Sequence, residues 1–141
     1  MYGDVLVPTD GSEAIETVID HTTEVTREGG TIHVLYVIDD QSFLTLADEM
    51  KEEVLANRRE EGAAAVRRAR NQLEDHGFEV TTAIHRGKPS EEIIAYVEEA
   101  DIDLVTMGTR GDDYTKNMLG STAQRVVANS KAPVLTVNVS E

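Results

Sequence analysis

The chain contains no cysteine, which excludes a disulfide framework, a thiolate zinc site and a cysteine nucleophile together. It also has no long apolar run, and Met1 leads into Asp4-Val-Leu-Val without a basic start or a cleavage-site pattern. The expectation is therefore no signal peptide, no membrane span and a cytoplasmic location. Positive charge is scarce: 13 lysines and arginines face 27 acidic residues, a formal net charge of -14, and the only lysines are Lys51, Lys88, Lys116 and Lys131. Such a surface repels nucleic acid and anionic membranes. The acids are spread along the chain, as in a cytosolic protein adapted to high salt, and the pairs Glu52-Glu53, Glu60-Glu61 and Glu98-Glu99 read as solvated helix faces.

Several catalytic signatures are missing too. No Gly-x-x-x-x-Gly-Lys occurs, so the chain is not a P-loop NTPase. Asp10-Gly11-Ser12 lacks the acidic partner two residues on that a phosphatase nucleophile needs. A phosphorylated receiver domain is disfavoured because the third strand ends in His85-Arg86, where that fold carries its phosphoacceptor aspartate, and no matching lysine follows the fifth. His21, His33, His76 and His85 show no metal-ligand spacing. No catalytic residue is assigned.

What remains is a strict alternation. The 141 residues suit one domain, 1–141, with no internal repeat or linker. Apolar runs rich in β-branched residues predict strands at Val5 to Val7, Ile32 to Ile38, Phe78 to Ile84, Leu104 to Met107 and Val134 to Val139. Helical spacing lies between them: Ile15, Val18, Ile19 and Val25 up to a C-cap at Gly29-Gly30; Met50 to Leu73 before Gly77; Ile93, Ile94 and Val97 after Pro89-Ser90; and Ala123, Val126 and Val127. Alternating strands and helices give an α/β fold, a mainly parallel sheet with helices on both faces. Val5-Leu6-Val7 and Leu104-Val105 are continuously apolar, whereas the third and fifth runs alternate, so strands one and four are expected in the centre. If they are neighbours, a ligand crevice lies beyond their carboxyl ends. It would be lined by Pro8 to Ser12 and Gly108 to Ser121, with Asp39 to Asp48 as a flap.

In the second of these loops, Met107-Gly108-Thr109-Arg110-Gly111 is followed by eight residues and then Gly120-Ser121-Thr122 opening a helix. Glycines allow close backbone approach, and a helix opening with Gly-Ser-Thr presents N–H groups, hydroxyls and the positive end of its dipole to an anion such as phosphate. The competing reading is a turn with Ser121 as N-cap. In Pro8-Thr9-Asp10-Gly11-Ser12, Asp10 reads either as an acceptor for ribose hydroxyls or a magnesium ligand, or as an Asx turn, with Ser12 capping the first helix.

Taken in order, Pro8-Thr9-Asp10-Gly11-Ser12, Tyr36-Val37-Ile38-Asp39, Gly87-Lys88-Pro89, Met107-Gly108-Thr109-Arg110-Gly111, Gly120-Ser121 and Pro133-Val134-Leu135 resemble the universal stress protein family over essentially the whole chain. The resemblance implies a five-stranded Rossmann-like parallel sheet in the order 3-2-1-4-5 and a homodimer through the last strand, Val134 to Val139. In one branch of the family it also implies bound ATP or a related adenine nucleotide (AMP or ADP), with Mg2+ through Asp10. Carried over, Gly108, Gly111, Gly120, Ser121 and Thr122 surround the phosphates with Met107 and Arg110 alongside. Asp10 meets the ribose, and Pro8, Thr9 and Val37 border the adenine.

The sequence departs from that branch's signature in having eight residues between Gly111 and Gly120 instead of nine, beginning with Asp112 and Asp113. A carboxylate about 4 Å from a phosphate charge costs roughly 1 kcal/mol in water, which Arg110, Lys116 or a divalent ion offsets. The expected function is a stress-response regulator that binds an adenine nucleotide and hydrolyses it slowly at most. The alternative is a nucleotide-free dimeric interaction module with loop 108–121 empty.

Overall fold

The computed structural model describes residues 1–109 and 120–139. Arg110, Gly111, Asp112, Asp113 and Lys116, all named above, lie outside the described residues. The elements run β1 (Tyr2–Thr9), α1 (Ile15–Val25), β2 (Thr26–Asp39), a 3-10 turn (Asp40–Phe43), α2 (Asp48–Asp75), β3 (Glu79–Gly87), α3 (Pro89–Glu99), β4 (Leu104–Thr109), α4 (Ser121–Asn129) and β5 (Val134–Asn138). All five strands pair in parallel in the order β3-β2-β1-β4-β5.

The order follows burial as the sequence implies. Val5, Leu6 and Val7 of β1 are fully buried, as is Val105 of β4, because these strands have a neighbour on each side and helices on both faces. The alternating runs are the two edges, β3 and β5. One face packs Val18 and Ile19 of α1 and Ala65, Val66, Ala69 and Leu73 of α2 against Val7, Ile32 and Val34. The other packs Ile93, Tyr96 and Val97 of α3 and Ala123 and Val126 of α4 against Leu6, Leu35 and Val105. The chain thus runs outward from β1 on one face, crosses the sheet through α3, and runs outward from β4 on the other. β1 and β4 pair through Val5 with Leu104 and Leu6 with Val105, so the direction reverses between them.

Four local expectations need correction. Gly29-Gly30 does not cap α1, which ends at Val25; Thr26 is already extended and opens β2. The glycines lie instead in an irregular start of that strand, where Tyr2 and Asp4 of β1 pair with Thr26 and Thr31 and the intervening residues loop out through Gly29 at φ +81. Gly108 and Thr109 belong to β4 instead of the following loop, since they pair with Val137 and Asn138. Phe78 and Val139 fall just outside β3 and β5. The segment offered as a flap holds the 3-10 turn, which is anchored: Asp39 accepts a hydrogen bond from the Gln41 amide, Arg86 pairs with Asp40 at 3.3 Å, and Phe43 is buried in the core. The following helix, α2, is about 42 Å long at 1.5 Å per residue, and none of residues 48–61 is buried. Its first half is therefore the more exposed one, touching the core through the half-buried Val54 and Leu55, and its fully buried side chains begin only after Gly62.

Candidate nucleotide crevice

In a parallel sheet all strands end on one edge, and each crossover helix returns antiparallel, starting where its strand stops. The carboxyl edge of this sheet therefore gathers Pro8 and Thr9 from β1, Val37 from β2, Met107 and Gly108 from β4, and the opening residues of α4, Gly120, Ser121 and Thr122. These are the sequence-nominated residues that the described structure brings to one edge; Asp10 follows them directly out of β1.

The first loop is a pair of nested turns. Thr9 Oγ1 accepts from the Gly11 amide at 3.1 Å, and Asp10 Oδ1 accepts from the Ser12 amide at 2.9 Å. Asp10 thus makes the Asx turn, while its side chain stays exposed to solvent. Ser12 is not the N-cap: Ala14 occupies that position without a capping side chain, and Ser12 contributes its carbonyl to the Ile15 amide at 3.4 Å. Gly11 takes φ +86, a left-handed conformation that glycine adopts without a steric cost.

At the far side of the crevice, Gly120 is the N-cap of α4 and Ser121 its first helical residue, so the reading of Ser121 as N-cap shifts by one position. Gly120 brings no capping oxygen, and its carbonyl accepts from the Gln124 amide. Gly120 itself therefore leaves the first amides of α4 without a capping side chain. Ser121 is exposed. Gly108 has a packing role in addition: a Cβ there would stand 3.2 Å from Val139 and 3.3 Å from Val18, so β4 approaches α1 and the end of the chain too closely for a side chain.

Three residues outside the sequence's shortlist support the first loop from α2 and β2. Tyr36 pairs in register with Thr9 and is buried below Gly11, and a Cβ on Gly11 would lie 3.8 Å from its ring. Gly62 gives that ring its space. Arg68 donates to the Gly11 carbonyl at 3.0 Å. Burial, and then the negative charges of Glu61 and Asp10, raise the Tyr36 phenol above its ordinary value, with Arg58 opposing. The signal that could have exposed this support is Gly62, a glycine among strong helix formers, which costs about 1 kcal/mol relative to alanine and so calls for a packing reason.

A groove of about 400 Å³ beside this loop is lined by Gly11, Ser12, Ile15, Glu16, Arg68 and Gln72, among others. Among the described residues no group of three or more His, Cys, Asp or Glu side chains converges as a metal site. A magnesium ion would fit here only as such ions are held beside nucleotides, with one exposed carboxylate, Asp10, completed by phosphate oxygens and water. His33 bridges Asp4 at 3.1 Å and the Tyr96 hydroxyl at 2.9 Å, and His85 pairs with Glu92 at 3.2 Å.

This architecture and sequence have known counterparts. The profile of the universal stress protein family matches residues 1–138. Universal stress protein MJ0531 of Methanocaldococcus jannaschii is 31% identical over 140 residues, covering 97% of this chain and 82% of that protein. Universal stress protein MJ0577 of the same organism is 31% identical over 154 residues, covering 97% and 95%. A solved structure of MJ0577 superposes with a TM-score of 0.87 and covers 98% of this chain and 96% of its own. Two more distant structures share the fold: a universal stress protein in complex with cAMP, at 21% identity, TM-score 0.71 and coverage of 99% and 98%, and a family member from Arabidopsis thaliana with AMP bound, at 18% identity, TM-score 0.73 and coverage of 96% and 90%. With a Rossmann-like sheet in the order 3-2-1-4-5 and a family match from Met1 to Asn138, this chain belongs to the universal stress protein family.

Proposed function

We propose that the chain, as a single regulatory domain of its family, binds ATP or a related adenine nucleotide across the carboxyl edge of β1 and β4. The observation that carries this reading is the pairing of two unlike anchors at one edge. The exposed Asp10 carboxylate follows β1, and the amino end of α4, with Gly120 and the exposed Ser121, is the next described element after β4. A hydrogen-bond acceptor on one side suits ribose hydroxyls. The amino end of a helix, with its amides and the positive end of its dipole, on the other side suits phosphate. Pro8, Thr9 and Val37 then border the base, and Met107, Gly108, Arg110, Gly111 and Thr122 complete the phosphate side. When bound, Mg2+ neutralises phosphate charge, which matters with Asp112 and Asp113 in the intervening loop. Relatives of the same fold that hold cAMP or AMP support an adenine nucleotide as the ligand class.

The eight-residue spacer with its two carboxylates favours a second reading, a nucleotide-free interaction module. In either case the outer edge of the last strand, Val134 to Val139, serves as the pairing surface for a homodimer. The protein works in the cytoplasm, and its acidic surface suits high salt. Mass spectrometry of the denatured, freshly purified protein separates the two readings. Adenine nucleotide released in proportion to protein supports the first. Its absence, together with no melting shift on adding ATP, leaves the second.

A further inference from the structure

Among the described residues, the Thr9 and Asp10 side chains tie the first loop to itself: they accept from amides two residues on, which fixes residues 9 to 12 relative to one another. Those bonds do not hold the loop against the rest of the molecule. That hold comes from α2. Arg68 reaches across 57 positions of sequence to donate to the Gly11 carbonyl at 3.0 Å, and Ala65 and Tyr36 line the underside of Gly11 at 3.6 and 3.8 Å from where its Cβ would be. Tyr36 is in turn wedged against the Gly62 backbone of the same helix. Gly11 lies between Asp10, whose carboxylate is exposed just beyond the end of β1, and Ser12, whose amide donates to that carboxylate, so a shift of the Gly11 peptide reorients Asp10.

We propose that Arg68 is a positioning residue for the nucleotide crevice. Its guanidinium holds the Asp10–Ser12 turn in the orientation that presents Asp10 to the ribose, and thereby makes nucleotide affinity depend on α2. Val54 and Leu55, in the half of α2 that precedes Gly62, pack against the same core cluster as Tyr36, so a shift of α2 is passed to the crevice loop through Gly62, Tyr36 and Arg68. The ligand part of this inference rests on the nucleotide reading above. The coupling of Arg68 to the loop does not.

The test uses the whole chain, Arg68→Ala, and Arg67→Ala as a neighbour that changes charge equally. Amide hydrogen exchange without ligand reads the coupling alone: Ser12 and Gly11 exchange at least about tenfold faster in Arg68→Ala and at the wild-type rate in Arg67→Ala, with both variants folded by circular dichroism. A tenfold change is the size expected when a charge-assisted hydrogen bond is lost. Titration with AMP then shows affinity reduced about tenfold in Arg68→Ala only, with partial recovery in Arg68→Lys, which restores a donor without the planar fork. Unchanged Ser12 exchange in Arg68→Ala overturns the proposal whether or not nucleotide binds. Equal loss of AMP affinity in both alanine variants overturns it in favour of net charge. Failure of AMP and ATP to bind the wild-type chain, with Ser12 exchange accelerated as described, overturns the nucleotide reading and the ribose role of Arg68 while the coupling to α2 stands.

Discussion

The Tyr36 ring lies against the backbone of Gly62, so closely that a Cβ on Gly62 would stand 2.7 Å from Cδ1 and 3.0 Å from Cε1. Helix propensity alone favours alanine at this position by about 1 kcal/mol. The contact reverses that preference. Gly62→Ala must displace a buried aromatic ring, and overpacking of this kind costs about 1–3 kcal/mol, so denaturant titration should show net destabilisation. Combining it with Tyr36→Val should recover part of the loss, and a strictly additive double variant would show that the ring is not the obstacle.

A second buried relationship joins α1 to β4. Thr22 Oγ1 donates to the Val18 carbonyl at 2.7 Å and lies 2.7 Å from Thr106 Oγ1, with both residues fully buried. Because the Thr22 proton is committed to Val18, Thr106 is the donor in the pair. Thr22→Val therefore orphans a buried hydroxyl and should cost about 1–3 kcal/mol. The double change to valine should cost less than the sum of the singles when unfolding free energies are compared.

Alkaline pH should unfold the protein through its tyrosines. Burial raises the phenols of Tyr36 and Tyr96 above their ordinary value of 10.0, and Glu61 and Asp10 add to the rise at Tyr36. The folded state holds these protons more tightly than the unfolded chain, so the unfolded state binds fewer protons above that value and stability falls as pH rises. Below it, the contribution is fully present. Melting temperature should decline from about pH 10 upward, and the decline should be shallower in Tyr96→Phe. Equal slopes would rule out Tyr96 as a contributor.

Most of the fold was legible in the sequence because burial in a doubly covered parallel sheet writes itself as uninterrupted apolar runs. Val5-Leu6-Val7 announced its central place, and the alternation of Phe78, Val80, Thr82 and Ile84 set the third strand apart from the central ones. Boundaries were less legible where tertiary pairing overrides local signals. Gly29-Gly30 reads as a helix stop but serves a strand irregularity, and Gly108 reads as loop but pairs with Val137. The site was legible as motifs at strand ends. Its support was not, since nothing local to Gly11 reveals that Arg68, 57 residues on, holds its carbonyl.

At the phosphate side, Gly120 is buried with φ -64 and ψ 160, backbone that any residue adopts, so the small Gly120→Ala should fold as judged by circular dichroism while crowding the approach to the first amides of α4. Nucleotide affinity should drop at least about tenfold. Retention of full affinity would move the phosphates away from this helix end.

The most direct measurement is calorimetric titration of the wild-type chain with ATP and magnesium in concentrated KCl. The proposed function predicts a saturable heat with one nucleotide per chain and a melting temperature that climbs with ligand concentration, because a ligand bound only to the folded state must stabilise it. No heat and no melting shift at about millimolar nucleotide would contradict it.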